Sequence, residues 1–381
     1  MRITADWINR PETRAVLDAL NTGGQRAFFV GGCVRNALLG VPVGDIDIAT
    51  DAAPETVMAL AEKAGLKPVP TGMEHGTITV VSGGVPHEVT TFRADTETDG
   101  RRAKVVFGQS IEADAARRDF TMNALYAAPD GAVIDPLGGL PDLTAQRVRF
   151  IGEAAERIRE DYLRVLRFFR FHACYGDAEG GLDAEGLAAC AAARDGLATL
   201  SRERIGAEMR KLLAARDPAP SVAAMQAAWV LAAILPGADA RALAPLVHLE
   251  AQTGIAPDAL RRLAALGGVD VAARLRLSRT DARRLDRLRD GIADAMPPAE
   301  LGYRLGAVDG GDIVLLRAAC LGGLLAPDAL DEVRRGAAAV FPVRAADLMP
   351  GLGGPALGRR LAEIEARWIA SGFALTREDL L

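Results

Sequence analysis

The sequence predicts an α/β head, built from a small mixed sheet with flanking helices, followed by an all-α remainder. Two observations predict this division. Short β-rich runs, mixed with glycine and proline, fill residues 1 to about 150. Beyond that point the strand patterns stop, and apolar residues recur at spacings of three and four in an Ala-, Leu- and Arg-rich chain.

The elements of the head follow from these patterns in order. The spacing predicts a first helix over 7–20 and a second over 54–64, where a proline lies near the first turn. Apolar and β-branched runs predict strands over 27–30, 45–50, 76–82, 85–92 and 148–151. Residues 153–175 predict one long helix, and proline and glycine breaks divide the rest of the chain into short helices. We therefore expect a head over 1–150, a helical neck over 151–215, and a helical body and tail over 216–381.

Composition excludes several classes of protein. Half of the 381 residues are hydrophobic and a quarter are charged, which is typical of a globular chain. The longest apolar run, 227–235, is much shorter than the roughly 18 residues of a membrane span. Residues 1–11 lack a secretory pattern, and the four cysteines form no CxxC pair. We expect a cytoplasmic protein with reduced thiols and no zinc site.

The charge balance limits how the chain could bind nucleic acid. Its net charge is −5, whereas proteins that coat nucleic acid non-specifically are usually basic. Any such contact must come from local patches. Residues 147–175 hold seven arginines against four acidic residues, and residues 274–289 hold seven against two. The second stretch is our candidate for phosphate contacts, although a solvated helix face explains it equally well.

The first candidate site is a glycine turn after a strand. Gly31 and Gly32 lie between an apolar strand and a helix that carries Arg35. Glycine lets backbone N–H groups approach an anion, and the helix N-terminus favours negative charge there. The Arg35 guanidinium can then bind a phosphate through several donors. The pattern is neither GxGxxG nor a Walker A loop, and by itself a plain structural turn explains it as well.

Two aspartates make the site more specific. On a strand, Asp45 and Asp47 project from the same face and repel each other unless a cation lies between them. Such oxygen ligands suit Mg²⁺, so a glycine turn followed by this pair indicates two-metal phosphoryl or nucleotidyl transfer. Glu88, on a neighbouring strand, is the candidate third carboxylate, for a second metal or for the proton of a 3′-hydroxyl. It could equally be an exposed glutamate at the edge of the sheet.

Five motifs in order carry a family resemblance. They are GGCVRNALLG from residue 31, GDIDIAT from 44, EVTTFR from 88, RRDFTMNA from 117 and EDYLR from 160. Over roughly residues 25–215 the chain resembles the class II tRNA CCA-adding enzymes and the related bacterial poly(A) polymerases, whose head is shared with the polymerase β-like nucleotidyltransferase superfamily. Asn36 departs from the pattern, since many members have Asp there. That residue supports the loop in the family, so we still expect activity.

The neck motif suggests how a base is selected. In a helix, Asp161 and Arg164 lie on adjacent turns of one face, which Arg167 and Arg170 continue. A surface ion pair is the simpler explanation. However, cytosine and adenine both present an amino donor beside a ring-nitrogen acceptor, which a carboxylate beside a guanidinium complements.

The resemblance assigns roles to these neck residues and to part of the fourth motif. It implies that Asp161 and Arg164 act as a protein template for CTP and ATP. Arg167 and Arg170 then stabilise the site or contact phosphates. Arg118 contacts the nucleotide, and Asp119 has a structural role.

The resemblance also implies a function. We expect a CCA tRNA nucleotidyltransferase that adds C, C and A from CTP and ATP to the tRNA 3′ end and releases pyrophosphate. Its partners are tRNA and the two nucleotides, with Mg²⁺ as cofactor, no membrane and no obligate protein partner. The polar, glycine-containing segment 93–102 predicts a mobile loop, which favours an enzyme that adds the terminal A.

Three alternatives remain open. A poly(A) polymerase shares every motif, but members of that branch often carry a basic C-terminal extension, which this sequence does not show. An A-adding tRNA nucleotidyltransferase would need a separate CC-adding partner. An inactive RNA-binding module is disfavoured, because it has no use for the repelling pair Asp45 and Asp47.

Overall fold

A computed structural model describes residues 1–99, 102–108, 110–349 and 351–381. The described backbone forms two compact units. The first comprises residues 1–212 and 220–234, and the second comprises residues 213–219 and 235–381. The first unit contains a seven-stranded mixed sheet with flanking helices, and the second is helical, so the predicted fold class is confirmed.

The sheet has the strand order β3-β4-β5-β2-β1-β8-β9, and β6 pairs separately with β7. The pairs β1–β2 and β4–β5 are antiparallel, whereas β2 and β5 run parallel. The strands are β1 (Ala27–Val30), β2 (Asp47–Thr50), β3 (Lys67–Gly72), β4 (Thr77–Ser82), β5 (Val85–Thr91), β6 (Arg93–Asp99), β7 (Arg102–Phe107), β8 (Tyr126–Ala127) and β9 (Val133–Ile134).

The helices of the first unit surround this sheet and continue beyond it. They are α1 (Pro11–Thr22), α2 (Gly32–Leu39), α3 (Pro54–Lys63), α4 (Ile111–Ala116), α5 (Leu140–Thr144), α6 (Ala154–Glu160), α7 (Leu163–Tyr175), α8 (Ala184–Ala192), α9 (Arg202–Leu213), α10 (Ala219–Ala227) and α11 (Val230–Ile234). The second unit holds α12 (Leu243–Thr253), α13 (Ala259–Leu266), α14 (Val271–Arg274), α15 (Arg279–Ala293), α16 (Pro298–Leu321), α17 (Ala329–Ala338), α18 (Gly354–Ala370) and α19 (Arg377–Leu380).

Several strand predictions are confirmed and others are wrong. The strands predicted at 27–30, 76–82 and 85–92 match β1, β4 and β5 to within one residue. The strand predicted from residue 45 begins only at Asp47, so Asp45 precedes it. Residues 148–151 contribute a single bridge, from Phe150 to Phe120. The segment predicted as a loop over 93–102 forms β6 and the start of β7, with residues 100 and 101 outside the described residues.

The predicted long helix over 153–175 is two helices. It breaks between α6 and α7, where Asp161 has the extended backbone angles φ −155° and ψ 106°. The predicted helix over 7–20 likewise begins as a short 3₁₀ turn, and α1 starts at Pro11, where proline is tolerated because a first-turn N–H has no helical partner. The helix predicted over 54–64 is confirmed as α3.

A phenylalanine cluster fixes α7 against the head. Phe120 lies 4.9 Å from the Phe150 ring and 5.0 Å from the Phe171 ring, between ring centroids. Phe168 stacks on Phe150 at 5.5 Å. Phe168 and Phe171 belong to α7, so this cluster determines where the polar face of that helix lies.

The second unit uses buried ion pairs as well as apolar packing. Glu250 bonds both Arg261 and Arg262, and all three side chains are buried. In the stretch 274–289, Arg284 and Arg287 both bond Asp309. Part of the predicted phosphate-contacting surface is therefore already neutralised within the chain. Among the described residues, no helix has both the length and the apolar character that crossing a bilayer requires.

We predict that Phe120→Ala destabilises the first unit. The side chain is fully buried among three other rings, so its removal leaves a cavity and should lower the free energy of unfolding by about 3–5 kcal/mol. Urea denaturation measures this change. Val340→Ala is the control, because Val340 is 82% exposed and should change stability by less than about 0.5 kcal/mol. Equal, small effects of both variants would contradict the packing role.

Candidate active site

The glycine turn joins β1 to α2. Gly31 has φ 69° and ψ −120°, a backbone conformation that strongly favours glycine. A Cβ atom there would lie 3.3 Å from Nη1 of Arg118, so a side chain would also crowd that guanidinium. Gly32 begins α2, and within the described residues no side chain caps this helix. Its first N–H groups are thus available to an anion.

Two of the predicted carboxylates lie side by side on the sheet. Asp47 on β2 is directly opposite Glu88 on the parallel strand β5. Asp45 lies two residues before Asp47 and is exposed, as is Glu88, whereas Asp47 is half-buried. The structure therefore brings Asp47 and Glu88 together in register, with Asp45 before the strand rather than on it.

The surroundings of Asp47 favour the binding of a cation. Its burial, followed by the negative charges of Glu88 and Asp45, raises the pKa of Asp47 to about 6, although Arg118 and Arg35 act in the opposite direction. Among the described side chains, none donates a hydrogen bond to the carboxylates of Asp45, Asp47 and Glu88, and none forms an ion pair with them. This crowding of unpaired negative charge is relieved when a cation binds.

The carboxylates do not form a complete set of metal ligands by themselves. Within the described parts of the chain, no group of three or more His, Cys, Asp or Glu side chains is arranged to hold a metal ion. Mg²⁺ in nucleotide sites is held by one or two carboxylates together with water and substrate phosphates. Asp45 and Asp47 fit that arrangement, because the triphosphate would supply the remaining oxygen ligands.

Arg35 is buried and held from three directions. Its guanidinium donates to the Asn123 side chain at 2.5 Å, to the Asn36 side chain at 2.8 Å and to the Tyr175 hydroxyl at 2.8 Å. Asn36 in turn donates to the Pro42 carbonyl at 2.8 Å. The Asn36 amide thus braces the segment that leads to Asp45, and unlike an ionised aspartate it can accept from Arg35 while donating to a carbonyl.

Arg118 is fixed by the buried carboxylate of Asp114. Asp114 accepts from Arg118 at 3.0 Å and from the Tyr126 hydroxyl at 2.6 Å. Burial alone would raise the pKa of Asp114, but Arg118 and Arg117 lower it below its ordinary value. The carboxylate therefore stays ionised and keeps Arg118 against the Gly31 turn.

Asp119 links the Arg35 side of the glycine turn to α7. It accepts from the Asn123 amide at 2.9 Å and from Nε of Arg167 at 2.8 Å. Because Asn123 also accepts from Arg35, three consecutive polar contacts join Arg35 to Arg167. The structural role predicted for Asp119 fits this position. Arg167 uses part of its guanidinium for the contact rather than presenting all of it to a ligand.

The neck residues are placed differently from the prediction. Asp161 lies in the break between α6 and α7, so it does not share a continuous helix face with Arg164. Asp161 pairs with Arg204 of α9 at 2.7 Å, whereas Arg164 pairs with Glu160 at 2.5 Å. The simple surface pair between Asp161 and Arg164 is therefore absent from the described residues.

Arg170, further along α7, also has a partner within the chain. Arg170 pairs with the buried Glu208 of α9 at 2.5 Å and lies over the Phe171 ring at 4.3 Å. The sequence patterns did not predict Glu208 as a partner of Arg170, nor the contacts of Asp114, Asn123 and Tyr175. RRDFTMNA contains Asn123, so the motif itself could have identified that residue. Asp114 lies three and four residues before Arg117 and Arg118, a local spacing that could have predicted its ion pairs, whereas Glu208 and Tyr175 contact their partners only through the tertiary fold.

Comparisons with known proteins agree with this geometry. Residues 27–149 match a family model described as "Poly A polymerase head domain". Residues 182–241 match one described as "Probable RNA and SrmB- binding site of polymerase A". The first model covers the glycine turn, the three carboxylates and Arg118, and the second covers α9 to α11.

Sequence relatives give the same result over the first half of the chain. The CCA-adding enzyme of Geobacillus thermodenitrificans is 44% identical over 201 residues, which are 52% of this chain and 48% of that protein. The mitochondrial CCA tRNA nucleotidyltransferase 1 of Homo sapiens is 44% identical over 186 residues, which are 49% of this chain and 43% of that protein. The match thus spans about half the length of these curated relatives.

A solved structure extends the similarity along most of the chain. The Bacillus stearothermophilus CCA-adding enzyme in complex with CTP superposes with a TM-score of 0.71 and 29% sequence identity. The superposition covers 94% of this chain and 92% of that chain. Residues 27–149 therefore match the poly(A) polymerase head-domain family and residues 182–241 its RNA-binding family, and the chain is similar in sequence and structure to CCA-adding enzymes.

Proposed function

We propose that this protein is a CCA tRNA nucleotidyltransferase, which adds C, C and A from CTP and ATP to the tRNA 3′ end and releases pyrophosphate. The observation that carries the proposal is the register of Asp47 with Glu88 beside a glycine turn and two arginines. The relatives that share this half of the chain are named for CCA addition, and the solved relative was determined with CTP.

The proposed cofactor is Mg²⁺, held by Asp45 and Asp47. When bound, it would lower the pKa of the attacking 3′-hydroxyl and neutralise charge on the triphosphate. Glu88 is placed to accept the proton of that hydroxyl or to bind a second ion. Gly31 and Gly32 offer N–H groups to the triphosphate, and Arg35 holds a phosphate oxygen.

Arg118 and the neck residues complete the nucleotide site in this proposal. Arg118 binds the nucleotide next to the glycine turn. Asp161 accepts from the amino group of cytosine or adenine, and Arg164 donates to the adjacent ring nitrogen. Uracil and guanine present the opposite polarity and leave both groups unsatisfied, which disfavours them. Arg167 and Arg170 stabilise the site through Asp119 and Glu208.

The same proposal assigns a role to each region. Residues 1–150 form the catalytic head, residues 151–215 the nucleotide-recognising neck, and residues 216–381 the tRNA-binding body and tail. All four cysteines are free, which supports a protein that acts in the reducing cytoplasm.

Extension of a tRNA that lacks its CCA end tests the proposal. The tRNA is incubated with Mg²⁺ and CTP, ATP or both. Two C residues followed by one A, with no further growth, are the expected product. Continued addition of A would instead indicate a poly(A) polymerase, which the head-domain match also allows. A single A, added only to tRNA that already ends in CC, would indicate an A-adding enzyme. RNA binding without addition would leave an inactive binding module.

We predict that Asp47 makes the metal-free protein less stable as pH rises. Its raised pKa means that the folded state binds the proton more tightly than the unfolded state, so this stabilisation is present below pH about 4 and is lost by pH about 6. In chelator, Asp47→Asn should therefore raise the free energy of unfolding at neutral pH by roughly 1–2 kcal/mol, with little change near pH 4.

Urea denaturation at both pH values measures this effect. Glu62→Gln, at an exposed acid on α3, is the matched control and should change stability little at either pH. A change for Asp47→Asn of the same size at both pH values would contradict the electrostatic origin. The same variant should lose at least about a thousandfold in nucleotide addition with Mg²⁺, because it removes a charged ligand.

We predict that Arg164→Ala weakens base selection. Loss of the guanidinium should reduce the preference for CTP over UTP by about 10- to 100-fold, measured as the ratio of their kcat/KM values. Arg164→Lys should not restore it, because a lysine lacks the planar pair of donors. Arg159→Ala is the control, since Arg159 lies on the preceding helix with a 66% exposed side chain. An equal loss with all nucleotides would show that Arg164 supports the fold instead.

A further inference from the structure

Trp229 is unlike the other two tryptophans of the chain. Trp7 and Trp368 are buried in their units, with 7% and 3% of their surface exposed. Trp229, between α10 and α11, is 69% exposed. An indole in water forgoes the largest apolar burial available to any side chain.

The backbone at Trp229 adds a second unfavourable feature. Its φ is 60°, in the left-handed region that strongly favours glycine. The Trp229 N–H donates to the Gln226 carbonyl, and its own carbonyl accepts from Ala233, so this conformation is held on both sides. Ala228 and Val230 are buried, which directs the intervening side chain outward. Neither exposure nor backbone conformation explains why a tryptophan occupies this position.

The sequence neighbours of Trp229 are small or uncharged. The exposed positions three and four residues further along are Ala232 and Ala233, and Gln226 is exposed three residues before. Residues 218–238 contain no charged side chain at all. The adjacent segment therefore places no charged side chain beside the exposed indole, and Ala232 and Ala233 are too small to cover it.

The location favours RNA as that partner. Trp229 lies within residues 182–241, the range that matches the RNA-binding family model. Helix α9, in the same range, presents exposed basic side chains that suit phosphates, namely Arg202, Arg210 and Lys211. Aromatic side chains bind unpaired bases by stacking in a way that tolerates any sequence.

We propose that Trp229 stacks on an unpaired nucleobase of the RNA substrate, an inference that rests on the proposed function. An enzyme that extends every tRNA needs contacts that do not depend on sequence, and stacking supplies one. The base could belong to the single-stranded 3′ end or to an unpaired position elsewhere in the folded tRNA.

Intrinsic fluorescence tests the proposal directly. The wild-type protein is titrated, without nucleotide or divalent metal, with a tRNA that lacks its CCA end and with a short single-stranded RNA of the same 3′ sequence. We expect the long-wavelength emission of the exposed indole to be quenched. Quenching by both RNAs assigns the base to the 3′ end, and quenching by the tRNA alone assigns it to the folded body.

Three variants separate stacking from folding and from general charge attraction. Trp229→Phe keeps a flat ring and should bind tRNA with nearly wild-type affinity, whereas Trp229→Leu should bind about 5- to 100-fold more weakly. The ratio between them should be similar at low and high salt, unlike the salt-dependent contribution of phosphate contacts. Trp229→Gly relieves the left-handed backbone, so it should bind weakly while unfolding at an unchanged or higher temperature.

The outcomes distinguish this proposal from the proposed function. If the wild type binds and extends tRNA, but Trp229→Leu binds equally well and the emission does not change, stacking is wrong and the enzymatic function stands. If the emission is quenched by RNA but no nucleotide is added, stacking stands and the enzymatic function fails. If the wild type self-associates and Trp229→Leu does not, with equal RNA affinity, the indole contacts protein and the proposal is overturned.

Discussion

The arrangement of the site depends on the ion pair and the hydrogen bond that the Asp119 carboxylate forms. This carboxylate is buried, and it accepts from Arg167 on one side and from Asn123 on the other. Burial alone would raise the pKa of Asp119, but Arg167 and the Asn123 amide hold it below the ordinary value. The carboxylate therefore stays charged, and removing Arg167 would leave a buried charge without its counter-ion. Through Asn123, the same group fixes the position of Arg35 beside the glycine turn.

This dependence explains why the positive side of the site is rigid while the negative side is open. Arg35, Arg118 and Arg167 each have carboxylate or amide partners among the described residues. Asp45 and Glu88 are exposed, and Asp47 is destabilised by burial beside them. A site with fixed donors and unpaired carboxylates is suited to a ligand that brings its own cation and its own phosphate oxygens. The fold thus stores unfavourable charge at the position where substrate and metal would relieve it.

The sequence predicted those parts of the site that depend on local patterns. Strand β1 and the glycine turn follow from an apolar run ending at Gly31, whereas the register of Asp47 with Glu88 is a pairing between two strands that alternation within one strand does not predict. The sequence does not predict strand β3, because Pro68 and Pro70 argue against a strand. In the structure β3 lies at the edge of the sheet, where proline is tolerated.

Contacts between residues far apart in the sequence could not be predicted from any local pattern. The ion pairs of Asp161 with Arg204 and of Arg170 with Glu208 join residues about forty positions apart, and periodicity does not encode such pairings. The break at Asp161 was also hidden, because the apolar spacing runs through it without glycine or proline. The resemblance supplied the motif residues in order, and their roles stay predictions, whereas their contact partners could be found only from the fold.

The break at Asp161 changes how base recognition would work under the proposed function. In a continuous helix, Asp161 and Arg164 would neutralise each other, and a base would have to displace that pair. Here Asp161 accepts from Arg204 and from the Leu163 N–H, one bond on each oxygen, and its side chain is still 35% exposed. Each carboxylate oxygen can accept a further hydrogen bond.

Arg164, like Asp161, is held by partners elsewhere in the chain. Its Nη1 donates to Glu160 and to the Arg157 carbonyl, which fixes the plane of the guanidinium without involving Asp161. Under the proposed function, a base edge would therefore meet two groups that are not paired with each other. Under the proposed function, the interruption of the helix would keep Asp161 and Arg164 from neutralising each other, so that both could act on a base.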